Sequence, residues 1–317
     1  MPTVRAAVLL AAFACTALLP PVPLRAADSP FSAKLQEGQF ADVFHNGRRA
    51  IRYVIAWDPD RYNETYKPFL HVFDAEGASP ITSGPGAKQY PHHRGIFIGW
   101  NKVLFAGKPH GFWGMGGGAH QKHVKFLASN LAPDGALLAG LVHWNLKDGK
   151  TLIEEERTQV LLPSTRPTLA LIDFTSRLTP VAGDVVLDGD PEHAGVHYRP
   201  HDDVDRKATK YLFHADGVTP GRGKDTDLPW VAEQYTLQGK TYSVQQMSHP
   251  DNPKGTEWSA YRDYGRFGAW FKKDLKKGET LTIRYRFRVA EGDLLAREEY
   301  QKSWEQFARS PTPKSYK

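Results

Sequence analysis

The 317-residue chain carries 41 Lys and Arg against 35 Asp and Glu, a formal net charge of +6. These basic residues are scattered rather than gathered into tracts, which argues against a nucleic-acid partner. A single cysteine, Cys15, excludes a disulfide framework and any cysteine-based metal site, so stability must come from a conventional core.

The first residues read as an export signal. Arg5 gives a positive start, residues 6–19 are almost wholly apolar, and Pro20, Pro21 and Pro23 end the run before a small-residue cleavage site at Leu24-Arg25-Ala26. The run is too short to span a bilayer. Ala12 and Phe13 do not fit a lipoprotein signal at Cys15. The expectation is a signal over 1–26 and one domain over 27–317, periplasmic or secreted, with no membrane anchor after cleavage. Losing Arg5 and Arg25 lowers the net charge from +6 to +4.

Strands dominate the remainder of the chain. Residues 50–57 are rich in β-branched and aromatic side chains, and 69–73 put Phe69, His71 and Phe73 on one face. Further strands are expected at 137–144, 152–162 and 169–178. Over 280–289, Leu281, Ile283, Tyr285, Phe287 and Val289 alternate with Thr282, Arg284, Arg286 and Arg288, which predicts one face in the core and one in water. Helix is scarce; the loose apolar stripe of Leu294, Leu295, Tyr300, Trp304 and Phe307 predicts one over about 292–309. The pattern is all-β: an antiparallel β-sandwich, the large mutarotase-like kind included, with a C-terminal helix.

Four segments hold residues suited to chemistry. In QYPHHRGIFIGW, residues 89–100, His92, His93 and Arg94 stand at the mouth of a buried strand. On an extended backbone His92 and Arg94 would point one way and His93 the other. Imidazoles serve as acids, bases or metal ligands, and an arginine fork holds a carboxylate or developing oxyanion. In EHAGVHYRPH, 192–201, the residues His193, Gly195, His197 and Arg199 share a strand face, and Gly195 leaves room for a ligand or another backbone. Residues 249–267 contain Asn252 in a turn, then Trp258, Arg262 and Tyr264, a group suited to stacking on a sugar. The glycine-rich stretch 111–123 carries Trp113 and His120 without the Gly-Lys-Ser/Thr of a phosphate loop.

These segments together resemble a bacterial family that carries the name methane oxygenase PmoA and is otherwise a domain of unknown function. The resemblance runs from about 66 to 271 and rests on KPFLHVFDAEG, PHHRGIFIGW, GFW, HAGVHYRP, and HPDNP followed by WSAYRDYGRF. A membrane methane oxygenase subunit would carry several spanning helices, and no such segment comes after the signal. The resemblance implies an exported β-sandwich of bacteria that degrade complex carbohydrate, and it transfers no catalytic residue.

The sequence therefore points to a carbohydrate-active hydrolase, lyase or epimerase acting on an oligosaccharide or oxidised sugar. A histidine among His92, His93 and His197 would move the proton, with Arg94 and Arg199 holding negative charge. Trp258 and Tyr264 would form the sugar platform, and His71, Trp113, His120, His193, Asn252 and Arg262 would complete the binding surface. The motifs lack an obvious carboxylate pair, although Glu192 and Asp263 lie within them. Two rivals stand: a non-catalytic carbohydrate-binding protein, and an enzyme using a divalent metal held by His71, His92, His93, His193 and His197. No cofactor is certain.

Overall fold

The computed structural model describes residues 22–25 and 29–317. The expected export signal lies outside the described residues, save that Val22–Arg25 at its end pairs as an edge strand with Phe31–Gln36. Among the described residues no helix is long and apolar enough to cross a membrane.

The strands form two large antiparallel sheets. The nine-stranded sheet runs Val22–Arg25, Phe31–Gln36, Phe40–His45, Arg48–Val54, Phe69–Val72, Ile96–Trp100, Ala194–Tyr198, Phe267–Trp270, Glu257–Ser259. The eight-stranded sheet runs Val204–Phe213, Trp230–Leu237, Lys240–Ser248, Leu281–Glu291, Thr168–Pro180, Thr151–Leu162, Gly135–Asn145, His120–Ala132. A smaller four-stranded sheet contains Lys102–Phe105 and Val185–Asp188. The expected antiparallel sandwich is the fold.

Side-chain alternation sets what each face does. Ile96, Ile98 and Trp100 enter the core between the sheets, as do Ala194, Val196 and Tyr198. Phe97 turns to the opposite face, where it packs with Phe69 and Trp113. One polar cluster crosses the core. Arg157 donates to both oxygens of Glu155 at 2.9 and 2.7 Å, and also reaches Pro68 O at 3.0 Å and Gln121 Oε1 at 3.1 Å. Gln121 in turn donates to Ile98 O at 2.9 Å, so this buried ion pair pins one sheet to the other.

Two expectations need correction. The C-terminal helix is Arg297–Ala308, shorter than 292–309, because Ala296 is extended (φ −61°, ψ 148°) and the chain before it is not helical. The arginine face of Leu281–Glu291 is not in water. Tyr300 and Phe307 pack on Trp230 and Met247, and the residues after the helix are carried over Arg284. That guanidinium donates to Ser310 O at 3.0 Å and Pro311 O at 2.9 Å, while Arg286 pairs with Asp173 at 2.5 Å. One short helix, Tyr62–Thr65, is too brief to leave a periodic signal in the sequence.

Candidate active site

Ile96–Trp100 and Ala194–Tyr198 are neighbouring antiparallel strands, with Phe97 opposite His197. Arg199 N donates to Gly95 O at 2.7 Å. Strand pairing thus draws the two histidine-arginine stretches onto the outer face of the nine-stranded sheet. Phe267–Trp270 joins on the far side with Gly268 opposite His197. A Cβ on Gly268 would stand 2.5 Å from His197 Cγ, so only glycine leaves space for the imidazole there. Gly195 (φ +95°) is also required, but its space is taken by Ala269 O rather than by a ligand.

The His92-His93-Arg94 segment is a turn, not an extended strand. His93 N donates to Tyr90 O at 2.8 Å, and Tyr90 (φ +55°) and Gly95 (φ +46°) bend the chain on either side. The turn puts His92 and His93 together, their ring centroids 4.2 Å apart and edge to face, instead of on opposite sides. His93 is buried, and neither ring nitrogen has a hydrogen-bond partner. Tyr90, Trp113 and Tyr264 enclose it at centroid distances of 5.4, 5.7 and 6.3 Å. Burial, then the neighbouring His92, Arg266 and Lys67, holds its pKa well below the usual histidine range. The half-buried His92 is lowered to about 4, by burial first and then by Lys67 and His193. Both imidazoles are neutral at neutral pH.

Three buried guanidiniums, Arg94, Arg199 and Arg266, and the buried amine of Lys67 lie near this pair. Arg94 is not free to hold an oxyanion. It donates to Pro91 O, Glu64 O and Asn63 O at 3.1, 2.8 and 2.6 Å and lies over the Tyr66 ring at 4.0 Å, so it braces the end of Tyr62–Thr65. His197 is likewise engaged. Its Nε2 pairs with Ala194 O at 2.8 Å and its Nδ1 with Arg266 Nη1 at 3.1 Å. Since the guanidinium can only donate, Nδ1 accepts and the proton sits on Nε2. Burial and Arg266 keep this ring neutral, and with both nitrogens occupied it is a positioning group rather than the acid or base.

Arg199 donates to Tyr264 O and, at 2.8 Å, to Asp202 Oδ1, which leaves Nε without a partner. Arg266 has an unpartnered Nη2. Lys67 has a single acceptor, Trp113 O at 2.6 Å, and its ammonium sits 4.1 Å from the centre of Phe97. Burial pushes its pKa well below the usual lysine range, with Arg94 and Arg157 adding to the effect. Glu233 reaches toward Arg199 and Arg266 from the other sheet. Burial raises its pKa well above the usual carboxylate range, and both oxygens are unpartnered. The nearby Tyr211 hydroxyl donates to Arg262 O at 2.8 Å instead.

At the rim, His193 Nδ1 pairs with Asp190 Oδ1 at 2.9 Å, and Asp190 also accepts from Glu192 N and Asn101 Nδ2 at 3.0 and 3.3 Å. The His193 ring lies 6.4 Å from Trp113. Arg262 pairs with Glu192, which accepts from the exposed Tyr261 hydroxyl at 2.8 Å. Asp263 pairs with Arg206 in solvent.

The remaining expected residues lie elsewhere. Trp258 is in the core between the sheets and cannot be a sugar platform; the alternation of its strand turns it inward. Asn252 is used up by Ser248 Oγ, Arg284 O and Arg284 N, at 3.0, 2.8 and 2.8 Å. His120 stacks on Trp57 at 3.8 Å and contacts Asn145, away from the pair. His71 shares the sheet face but lines a separate hollow. Among the described residues no three His, Cys, Asp or Glu side chains converge as a metal-ligand set. Sequence reasoning missed Lys67, Tyr90, Asp190 and Glu233, and saw Arg266 only as part of the group after Trp258. Lys67 and Arg266 lie in the segments 67–77 and 258–267, and Asp190 stands three residues before His193, so proximity was their one available signal.

No curated protein matches the sequence. Among solved structures, the heparan sulfate lyase HepC from Pedobacter heparinus is 9% identical with a TM-score of 0.38, over 85% of this chain and 36% of that one. Galactose 1-epimerase from Lactobacillus acidophilus NCFM is 9% identical with a TM-score of 0.33, over 87% of this chain and 100% of that one. The chain thus spans about a third of the length of the lyase. The model of a family of unknown function, DUF6807, matches residues 41–305, and the chain belongs to that family.

Proposed function

We propose that this protein is an enzyme that moves a proton on an acidic sugar, with the His92–His93 pair as the acid/base centre. The observation that carries the reading is the pair itself: two neutral imidazoles in contact, one buried with both nitrogens unpartnered, beside three buried arginines. A buried polar group without a partner costs stability unless something completes it, and a ligand hydroxyl or carboxylate would do so. An incoming carboxylate would also offset the positive surroundings that help keep these imidazoles neutral. Their basicity would therefore rise when the acidic sugar arrives.

Elimination or epimerisation suits this arrangement better than two-acid hydrolysis. Both begin with removal of a proton beside the carboxylate, and the spare N–H groups of Arg199 and Arg266 supply positive charge for the enolate that forms. Asp190 orients His193 as a further proton carrier on the same rim. The apolar run at 6–19 supports a periplasmic or secreted address, where such sugars are met. Tyr90 and Tyr261 are exposed at the rim and favour a second reading, sugar binding without chemistry.

Turnover of uronic acids and their oligosaccharides by His92→Ala and His93→Ala separates the two. Loss of about 10²–10⁴-fold in turnover with binding retained supports the enzyme. Binding without turnover by the wild-type protein replaces it with the second reading.

A further inference from the structure

A second hollow of about 330 Å³ lies beside the histidine pair, lined among others by His71, Thr82, Ser83, Gly84, Lys88 and Asp202. Its size is at the lower end of ligand-binding cavities. It is joined to the candidate centre by backbone and side chains alike. Ser83 N donates to Arg199 O at 3.1 Å, and the Asp202 carboxylate accepts from Arg199 through one oxygen and from Gln89 N, at 3.0 Å, through the other. Arg199 in turn lies 4.7 Å over the Tyr264 ring that faces His93. The hollow is therefore linked to His93 through Asp202, Arg199 and Tyr264 in turn.

The chemistry of the lining is that of a site for hydroxyls. Ser83 is buried, 1% exposed, and its Oγ has no partner. His71 Nδ1 is held by Thr82 Oγ1 at 3.0 Å, which leaves the Nε2 edge turned toward Gly84. A Cβ on Gly84 would stand 3.3 Å from both Cε1 and Nε2 of that ring. Pro80 and Ala87 add small apolar wall, and Lys88 and His201 add donors. The free Ser83 hydroxyl, an imidazole edge, the Lys88 ammonium and a carboxylate spaced around a small cavity match the alternating donors and acceptors of a pyranose ring.

We infer that this hollow is a second sugar subsite, so that the substrate is an oligosaccharide carrying at least one acidic residue and spanning Asp202, rather than a single sugar. The inference rests on the reading of His92 and His93 as the acid/base centre. The centre takes the residue that reacts, and the hollow takes its neighbour.

The test is a titration of the full protein with glucuronic, galacturonic and mannuronic acids and with their di- and trisaccharides, following the imidazole resonances of His71, His92 and His93 by NMR. The subsite requires that single sugars move His92 and His93 alone, that the longer ones also move His71, and that they bind at least about tenfold tighter. Gly84→Val fills the hollow against the His71 ring and should bring the longer sugars down to the affinity of the single ones. Ser83→Ala, a smaller change, should remove part of the same gain. Binding at His92 and His93 with no chain-length preference, or a preference untouched by both variants, overturns the subsite alone. If no member of the panel moves His92 or His93, the acid/base reading falls and the subsite falls with it.

Discussion

Replacing His71 with Asn should make the protein more resistant to acid. His71 is partly buried, and burial, with Arg52 and His201 adding, lowers its pKa from 6.5 to about 3. The unfolded chain takes up a proton on this ring near its ordinary pKa, while the folded chain does not until far lower. Its contribution is therefore complete above about pH 6.5 and is lost as the pH falls toward about 3. Each pH unit in that window is worth about 1.4 kcal/mol. Two units below the unfolded value, near pH 4.5, the loss from this residue is roughly 2–3 kcal/mol. That is a large share of a typical stability of about 5–15 kcal/mol. Asn keeps a hydrogen-bonding atom for Thr82 but cannot titrate. Urea unfolding of wild type and His71→Asn at about pH 7.5 and 4.5 gives the comparison: the drop between the two should be smaller by about 2 kcal/mol in the variant. Equal drops in the two proteins would show that the folded ring takes up its proton as readily as the unfolded one, and would refute the reasoning.

The packing sets other outcomes. Glu155→Gln strips the buried Arg157 of its counter-charge and should cost about 3–5 kcal/mol in urea unfolding. Asp184→Asn at the exposed Lys276 pair should leave the midpoint unchanged. Gly268→Ala drives a methyl to 2.3 Å from Val196 O and should lower stability by about 1–3 kcal/mol, whereas Gly221→Ala, with nothing within 4 Å, should not on that account. Thermal unfolding of the two alanine variants side by side reads the difference.

The sandwich was legible because its strands keep a strict two-residue period, as in Leu281–Glu291, and because turn residues separate them. The meeting of the His92 and His197 stretches was legible as an expectation, one motif lying at a strand's mouth and the other along a strand face; the pairing of Phe97 with His197 brings them together. The assignment of duties within that meeting was not. Arg94 and His197 look like free functional groups in the sequence, yet their partners are the carbonyls of Asn63, Glu64 and Ala194 and the side chain of Arg266. Backbone acceptors leave no mark in a sequence. Trp258 failed as a platform for a similar reason: an aromatic ring on a strand reads alike whether it faces the core or a sugar. The turn at Tyr90 also brought His92 and His93 together where opposite sides were expected, because a non-glycine residue at positive φ gives no compositional warning.

The floor beneath the histidines is laid by three strands, Ile96–Trp100, Ala194–Tyr198 and Phe267–Trp270, that adjoin in space though widely separated along the chain. Local hairpins alone assemble none of it, since each of these strands must find a distant mate and such pairings close late and slowly. Occupancy of the histidine pair by any small molecule would therefore signal a completed sheet. A compound that binds there would be expected to rescue destabilised variants, favouring the finished molecule over every partly assembled one.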